Sequence, residues 1–247
     1  MTTSDAVRAG VILAAGLGSR LAEGRDDAIL KPLTPVAGIP LIVRTLESLR
    51  VAGCTRAVIV LGYRAENLEA EIRDIYQGPL DIEFVYNPHF EKSNGLSVTA
   101  ARDAIGGSDF VLVMADHVLG DDLMAVAADT TPPADGAALL VDYKLDTVFD
   151  MDDATKVLSR GDQIVSIGKH IQEYNCIDTG VFVCTTGLID ALDEVYAEEY
   201  DASLSEGVQV LGEKGRMLAV NIGASFWQDV DTPEMLAHAE EVLRARL

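Results

Sequence analysis

Short apolar runs alternate with amphipathic segments along the first 135 residues. Four runs have the length of buried strands and lie at 11–15, 57–61, 82–86 and 110–114. Between the first two runs, Leu41, Ile42, Leu46 and Leu49 recur at helical spacing, and further helices are predicted around 68–75 and 96–105. Strands that alternate with helices in this way predict an α/β fold with a doubly wound, mostly parallel mixed sheet flanked by helices.

The pattern changes after residue 135. Strands are predicted at 138–142, 156–159, 164–167 and 178–184, followed by helices at 187–198 and 203–213, a strand at 217–221 and a helix at 233–246. Thr232 is the predicted N-cap of that last helix, with Pro233 at its first position. No repeat, low-complexity tract or linker interrupts the chain. We therefore predict a single domain over 1–247, with halves at 1–135 and 136–247.

Composition narrows the class of protein. The 247 residues carry a formal net charge of -21, which argues against binding to nucleic acid or anionic membranes. The three cysteines have no paired spacing, so neither a disulfide framework nor a thiolate metal site is expected. The longest apolar run has ten residues, too few to insert into a membrane. We expect a cytoplasmic protein.

A glycine-rich segment, Gly16-Leu17-Gly18-Ser19-Arg20, follows the first predicted strand. Glycines let backbone N–H groups approach phosphate oxygens, yet the segment lacks the third glycine of a dinucleotide fingerprint and the Gly-Lys-Ser/Thr of a P-loop. Hydride transfer and P-loop hydrolysis are therefore not favoured. By itself, the segment is equally compatible with a purely structural turn.

Three more motifs follow it in order. They are Lys31-Pro32-Leu33, Asp116 directly after a predicted strand, and Asp229-Val230-Asp231 before the last helix. Together with the glycine-rich segment, this set resembles the nucleotidyltransferases that make nucleotide-activated sugars and alcohols. Six further segments are similar to the cytidylyltransferases that act on inositol 1-phosphate: 91–97, 114–117, 154–156, 167–169, 176–180 and 227–232. The resemblance implies a Rossmann-like, GT-A-like nucleotidyltransferase fold with a nucleotide-binding first half and an acceptor-binding second half.

The reaction that the resemblance implies transfers CMP from CTP to an alcohol phosphate, with inositol 1-phosphate the preferred acceptor. The acceptor needs no general base, because the second pKa of a phosphate monoester is about 6. Fixed donors and cations are needed instead. Arg20 and Lys31 are the catalytic candidates, Arg20 toward the leaving phosphates and Lys31 toward the α-phosphate. The candidates for nucleotide binding are Leu13, Ala14, Ala15, Gly16, Gly18, Ser19, Tyr63, Ser93, Asn94 and Gly95.

Carboxylates at strand ends suit Mg²⁺, the predicted cofactor. Asp116 is the first candidate ligand, and the resemblance favours Asp231 over Asp229 for the second. A surface acid at Asp116 and a helix-capping role for Asp231 are the structural alternatives. Lys169 is expected to contact the acceptor phosphate, and Asp178 and Thr179 the acceptor hydroxyls.

Two alternatives remain open at this point. The first is a nucleotidyltransferase for phosphocholine, a phosphonate or a sugar 1-phosphate, with CTP or another NTP. The second is a catalytically silent nucleotide-sensing subunit of the same fold. Similar cytidylyltransferases are often joined to a membrane phosphotransferase, and we expect only the cytidylyltransferase half in this chain. A homodimer, and a membrane CDP-alcohol phosphotransferase that uses the product, also remain open.

Overall fold

A mixed sheet of nine strands runs through the part of the chain that this computed structural model describes, residues 8–16 and 30–246. Its strand order is β5-β4-β1-β6-β11-β8-β12-β10-β9. The strands of the molecule are β1 (Ala9–Ala14), β2 (Pro35–Val36), β3 (Ile39–Pro40), β4 (Arg56–Leu61), β5 (Asp81–Tyr86), β6 (Phe110–Met114), β7 (His117–Leu119), β8 (Ala137–Asp142), β9 (Lys156–Arg160), β10 (Gln163–Gly168), β11 (Cys176–Cys184), β12 (Met217–Asn221) and β13 (Trp227–Asp229).

Helices cover both faces of the sheet. They are α1 (Leu41–Val51), α2 (Ala65–Ile75), α3 (Gly95–Ala100), α4 (Arg102–Ile105), α5 (Asp121–Asp129), α6 (Gly187–Glu199), α7 (Leu204–Glu213) and α8 (Pro233–Ala245), with short 3-10 turns at Lys31–Leu33 and Leu145–Thr147. On one face α3, α6 and α7 pack around Phe110 and Phe182, and on the other α1, α2 and α5 pack around Ile12 and Ile59. This arrangement confirms the predicted α/β fold. Within the described ranges, no helix has both the length and the apolar character needed to cross a bilayer.

The order of the strands places the first predicted motifs side by side. Strands β5, β4, β1 and β6 are parallel neighbours, and β1 lies between β4 and β6. The chain moves outward from β1 to β5 and then returns to the other side of β1 as β6. The carboxyl ends of β1 and β6 flank this switch point, where α/β folds commonly bind ligands. Gly16 and Asp116 follow these two ends.

The second half continues the same sheet. Strand β11 pairs antiparallel with both β6 and β8, so it joins the two halves, and β12 is parallel to β8. A separate ribbon is formed by β7 and β13, in which His117 lies opposite Asp229. The backbone N–H of Val230 donates to the carbonyl of Asp116 over 2.9 Å. The ribbon thereby brings the motif before α8 next to the carboxyl end of β6.

Candidate functional site

A cavity of about 670 Å³ opens at the switch point of the sheet. Leu13, Ala15 and Gly16 line it from the end of β1, and Asp116 lines it from the segment after β6. Residues of the second half complete the wall: Asp142, Lys144, Phe149, Asp153, Lys169, Asp178, Trp227, Asp229, Asp231 and His238. The cavity thus lies between the predicted nucleotide-binding and acceptor-binding halves.

Lys31 lies at the border between these halves. It begins the 3-10 turn Lys31–Leu33, and its Nζ donates to Asp116 Oδ2 over 2.5 Å and also to Asp231 Oδ1. Burial opposes the charge on Lys31, but the two carboxylates outweigh it and raise the lysine's pKa. Burial likewise opposes ionisation of Asp116, yet Lys31 and His117 hold the pKa of this carboxyl well below its usual range. Three residues from distant parts of the sequence therefore form one charged group.

His117 holds the other oxygen of Asp116. Its Nδ1 lies 2.7 Å from Asp116 Oδ1, and its ring stacks on Trp227 with centroids 6.2 Å apart. Trp227 Nε1 in turn donates to Asp142 Oδ2 over 2.9 Å. A Cβ placed on Gly180 would approach His117 Nε2 to 2.8 Å, so only glycine leaves room for the imidazole there. These contacts fix the orientation of Asp116.

Asp231 also belongs to an acidic cluster with Asp153 and Asp229. One carboxylate oxygen from each of the three lies within 4.8 Å of the others. Burial raises the pKa of Asp229, helped by the nearby charges of Asp231 and Asp116, although His117 opposes this effect. Oxygen ligands and repulsion between neighbouring carboxylates fit a hard divalent cation. The sequence motifs did not indicate Asp153, which lies in the loop between β8 and β9.

Two lysines hold this loop. Lys169 Nζ donates to Asp153 Oδ1 over 2.6 Å, and buried Lys156 donates to the carbonyl oxygens of Met151, Asp152 and Ala154. Lys169 lines the cavity, as expected for an acceptor contact. Its position at the acidic cluster places a positive charge beside the carboxylates.

The end of β1 and the first glycine of the glycine-rich segment lie at the cavity wall. Leu13, Ala15 and Gly16 line the wall, whereas Ala14 is buried beneath it. The carbonyl of Ala15 accepts the backbone N–H of Tyr63 over 3.1 Å. The remaining predicted phosphate contacts, Gly18, Ser19 and Arg20, lie outside the described residues.

The predicted base contacts are only partly brought to the cavity. Asn94 lines it, and Asn94 Oδ1 accepts the N–H of Leu204. Ser93 instead bonds to Asp201 through both its N–H and its hydroxyl, and Gly95 packs against the carbonyl of Ala202. These contacts anchor the turn to the segment between α6 and α7. The side chain of Tyr63 is 38% exposed and lies apart from the wall of this cavity as the structure describes it.

The two acceptor candidates on β11, Asp178 and Thr179, lie in different surroundings. Asp178 lines the cavity, but Thr179 is fully buried and its Oγ1 donates to the carbonyl of Leu140 over 2.8 Å. Neighbouring residues of a strand point to opposite faces, so one of this pair must turn away from the cavity. The expectation that Thr179 faces the acceptor is therefore not supported by the structure.

A family model described as "MobA-like NTP transferase domain" matches residues 10–149, which is more than half of the chain. The chain belongs to this family. The matched residues include most of β1, Lys31 and Asp116, and they end at Phe149 on the cavity wall.

Curated relatives extend the similarity beyond the matched MobA-like region. A bifunctional IPC transferase and DIPP synthase of Aquifex aeolicus is 32% identical over 96% of this chain and 52% of that protein. A protein of the same name from Thermococcus kodakarensis is 34% identical over 94% of this chain and 50% of that protein. The chain thus spans about half the length of these relatives.

A solved structure matches nearly the whole chain. The inositol-1-phosphate CTP transferase from T. maritima is 28% identical, with a TM-score of 0.80, over 96% of this chain and 97% of that one. The second half of the chain, which the MobA-like match leaves largely uncovered, therefore also has a counterpart of similar shape.

Proposed function

We propose that this member of the MobA-like NTP transferase family transfers CMP from CTP to inositol 1-phosphate and releases pyrophosphate. The observation that carries the proposal is the contact of Lys31 with both Asp116 and Asp231, two carboxylates that line the cavity from the first and the second half of the chain. The CTP and inositol 1-phosphate assignments are supported by the similarity to the T. maritima transferase over nearly both full chains.

In this proposal an oxygen of the acceptor phosphate attacks the α-phosphorus of CTP. The bond between the α-phosphorus and the bridging oxygen to the β-phosphate breaks, and that oxygen leaves with pyrophosphate. Since the acceptor phosphate is largely dianionic above about pH 6, the protein has no proton to remove. Its task is to bring two polyanions together and to stabilise the charge on the transferring group.

Each side of the cavity has a part in this task. Leu13, Ala15 and Gly16 hold the nucleotide by backbone contact, with Asn94 near the base and Gly18, Ser19 and Arg20 toward the leaving phosphates. The Lys31 ammonium faces the α-phosphate. Lys169 contacts the acceptor phosphate, and Asp178 the rest of the acceptor.

Asp116 and Asp231 are the proposed Mg²⁺ ligands, with Asp229 and Asp153 beside them. When bound, the metal neutralises charge on the phosphates. Lys31 and His117 both hydrogen-bond to Asp116, and the ring of His117 stacks on Trp227, so the lysine and the carboxylate are held in place relative to each other. A second candidate ligand set, Asp153 with Asp229 and Asp231, rests on their mutual approach within 4.8 Å.

The names of the curated relatives join an IPC transferase to a DIPP synthase, so a DIPP synthase activity is the proposed consumer of the product. That this consumer is a membrane CDP-alcohol phosphotransferase is part of the proposal. A cytoplasmic location and a homodimer stay predictions.

A panel of substrates tests the proposal. Pyrophosphate release is measured with each of CTP, UTP, ATP and GTP against inositol 1-phosphate, glucose 1-phosphate and phosphocholine, with Mg²⁺. Release with CTP and inositol 1-phosphate is the expected result. Release with glucose 1-phosphate alone would overturn the acceptor assignment, and no release with any pair would favour a nucleotide-sensing role.

A further inference from the structure

The loop between β8 and β9, residues 143–155, forms one wall of the cavity. Phe149, Asp150 and Asp153 line the cavity from this loop. The structure describes every residue of the loop, and apart from one 3-10 turn near its start the loop has no helix or strand. Its shape therefore depends on contacts other than regular backbone pairing.

The ammonium group of Lys156 holds the last turn of this loop. Its Nζ donates to the carbonyl oxygens of Met151, Asp152 and Ala154 over 2.7, 3.2 and 3.2 Å. An ammonium has three N–H donors, so these bonds use all of them. Within the described part of the chain, no carboxylate forms an ion pair with Lys156. Since carbonyl oxygens also coordinate monovalent cations in proteins, the ammonium has the place that such an ion would take.

The backbone of Lys156 is a fixed point for these bonds. On β9, Lys156 lies opposite Gly168 of β10 and Ile177 of β11, so its strand is paired on both sides. Its side chain is buried. Burying a lysine costs side-chain freedom and the hydration of its charge, and the three carbonyl bonds offset these costs. The lysine thereby ties the loop to the sheet.

Asp153 is the residue that this turn presents to the cavity. The carbonyls of Asp152 and Ala154, on either side of it, both accept from Lys156, so the backbone at Asp153 is held from both directions. Asp153 Oδ1 accepts from Lys169 Nζ over 2.6 Å, and both side chains line the cavity. A chain of contacts thus connects the buried lysine to the lysine that the proposed function places at the acceptor phosphate.

We infer that Lys156 is a positioning residue for the acceptor, because it fixes the turn at 151–154 and, through Asp153, the orientation of Lys169. The inference rests on the proposed function and deepens it, since it predicts an effect on the acceptor and not on the nucleotide. Lys156 is absent from the cavity wall as the structure describes it, so it acts through these contacts.

The variant Lys156→Met tests the inference, because methionine keeps most of the apolar stem and removes the three donors. The strength of hydrogen bonds to a charged group corresponds to about 10- to 100-fold. We expect KM for inositol 1-phosphate to rise by that factor, with KM for CTP unchanged. Lys214→Met is the matched control, because Lys214 forms an exposed ion pair with Glu194. An unchanged KM for inositol 1-phosphate, or equal losses for both substrates, would overturn the inference.

Chemical rescue separates positioning from a general loss of stability. Lys156→Ala leaves the three carbonyl oxygens and a space that propylammonium, the missing part of the side chain, can fill. Propylammonium is expected to shift KM for inositol 1-phosphate back toward the parent value in Lys156→Ala, but not in Lys156→Met, where a side chain occupies this space. Tetramethylammonium has no N–H donor and controls for ionic strength. No rescue by propylammonium, or equal rescue by both ions, would contradict a role for the ammonium.

Amide hydrogen exchange separates this inference from the proposed function, because it needs no turnover. Lys156→Met should speed exchange of the amides at 151–155 and leave β1 and β6 as slow as in the parent protein. This result would support the fixing of the turn even if no substrate pair released pyrophosphate. Unchanged exchange at 151–155, or faster exchange throughout the sheet, would overturn the inference.

Discussion

The Lys31 ammonium lies between two carboxylates that are far apart in the sequence, Asp116 and Asp231. The ammonium offsets the repulsion between the two carboxylates, and burial strengthens both of its ion pairs. In the proposed reaction the same ammonium faces the α-phosphate, where negative charge is rearranged in the transition state.

Replacement of Lys31 by alanine should therefore lower kcat with little change in the KM of CTP. Loss of one preorganised donor to a transition state costs about 10²- to 10³-fold in kcat. Steady-state kinetics of pyrophosphate release measure this effect. Lys214→Ala is the control, because Lys214 forms an exposed ion pair with Glu194 away from the cavity. Near-normal kcat in Lys31→Ala would remove this lysine from the chemistry.

The ionised carboxylate of Asp178 should lower the unfolding free energy of the protein at neutral pH, because it is buried in the cavity wall. Because burial raises its folded-state pKa to about 6, the native state binds this proton more tightly than the unfolded chain does. Its contribution to the unfolding free energy therefore falls as pH rises from about 4, the unfolded pKa, through about 6.

The variant Asp178→Asn should consequently be more stable than the parent at pH 7.5, by up to about 3 kcal/mol. The difference should shrink below pH 6 and vanish near pH 4. Urea denaturation at several pH values measures it, with Asp146→Asn as the control for a change in net charge. A gain that is independent of pH, or a loss of stability at pH 7.5, would contradict the assigned burial of the charged carboxylate.

At the residue scale, the sequence predicted those site residues that belong to recognisable motifs, and it failed where strand alternation or an irregular loop decides the position of the side chain. Lys31, Asp116 and Asp231 belong to ordered motifs, and the structure brings them together. Thr179 was expected beside Asp178, but alternation along β11 turns it toward Leu140. Asp153 carried no signal, because it lies in an irregular loop whose path depends on Lys156 and Lys169.

At the element scale, the ribbon of β7 and β13 connects the two ends of the site. Each strand has three residues, too few to show a period in the sequence, so neither was predicted. Most of the long strands and helices were predicted within a few residues, because their apolar spacing is sustained, but the nine-residue helix α5 was not predicted. The predicted helix at 96–105 is two helices, α3 and α4, which meet at Ala101.

Trp227 couples this ribbon to the sheet, since its Nε1 donates to buried Asp142 on β8 while its ring stacks on His117. Trp227→Phe keeps an aromatic ring but removes the donor. We expect a loss of about 1–2 kcal/mol in unfolding free energy, because a buried carboxylate oxygen loses its partner. We also expect weaker activation by Mg²⁺, because the ring that positions His117 and Asp116 is less constrained.

Chemical denaturation and the Mg²⁺ dependence of turnover measure these two effects. Tyr200→Phe serves as the control, since Tyr200 is 73% exposed and is the C-cap residue that follows α6. If Trp227→Phe matched the parent in both measurements, the ribbon would not be positioning Asp116.

At the scale of the whole molecule, the net charge of -21 bears on how the protein could bind two phosphorylated substrates. Alone, it argued only against polyanionic polymers as partners. Acidic and basic side chains alternate in the cavity: Lys144 and Lys169 line it and are each paired with a carboxylate, and Lys31 is paired with Asp116 of the cavity wall. A divalent cation at the remaining carboxylates would let an acidic protein accept a triphosphate and a phosphorylated acceptor together.

The overall architecture was predictable from the alternation of strands and helices. The strand pairing that joins the two halves into one sheet was not predictable. Strand β11 pairs with β6 of the first half and β8 of the second, a long-range antiparallel contact that leaves no local signature. The single domain over 1–247 stays a prediction. So does the description of its halves as nucleotide-binding and acceptor-binding.

The central claim is that CTP and inositol 1-phosphate react with each other in this cavity. Phosphorus NMR of the protein with CTP, inositol 1-phosphate and Mg²⁺ tests it most directly, because substrates, pyrophosphate and the diphosphate-linked product give separate signals. We predict that CTP is lost as CDP-inositol and pyrophosphate appear in equal amounts, and that Lys31→Ala greatly slows the change. Loss of CTP without CDP-inositol, or no change at all, would contradict the account.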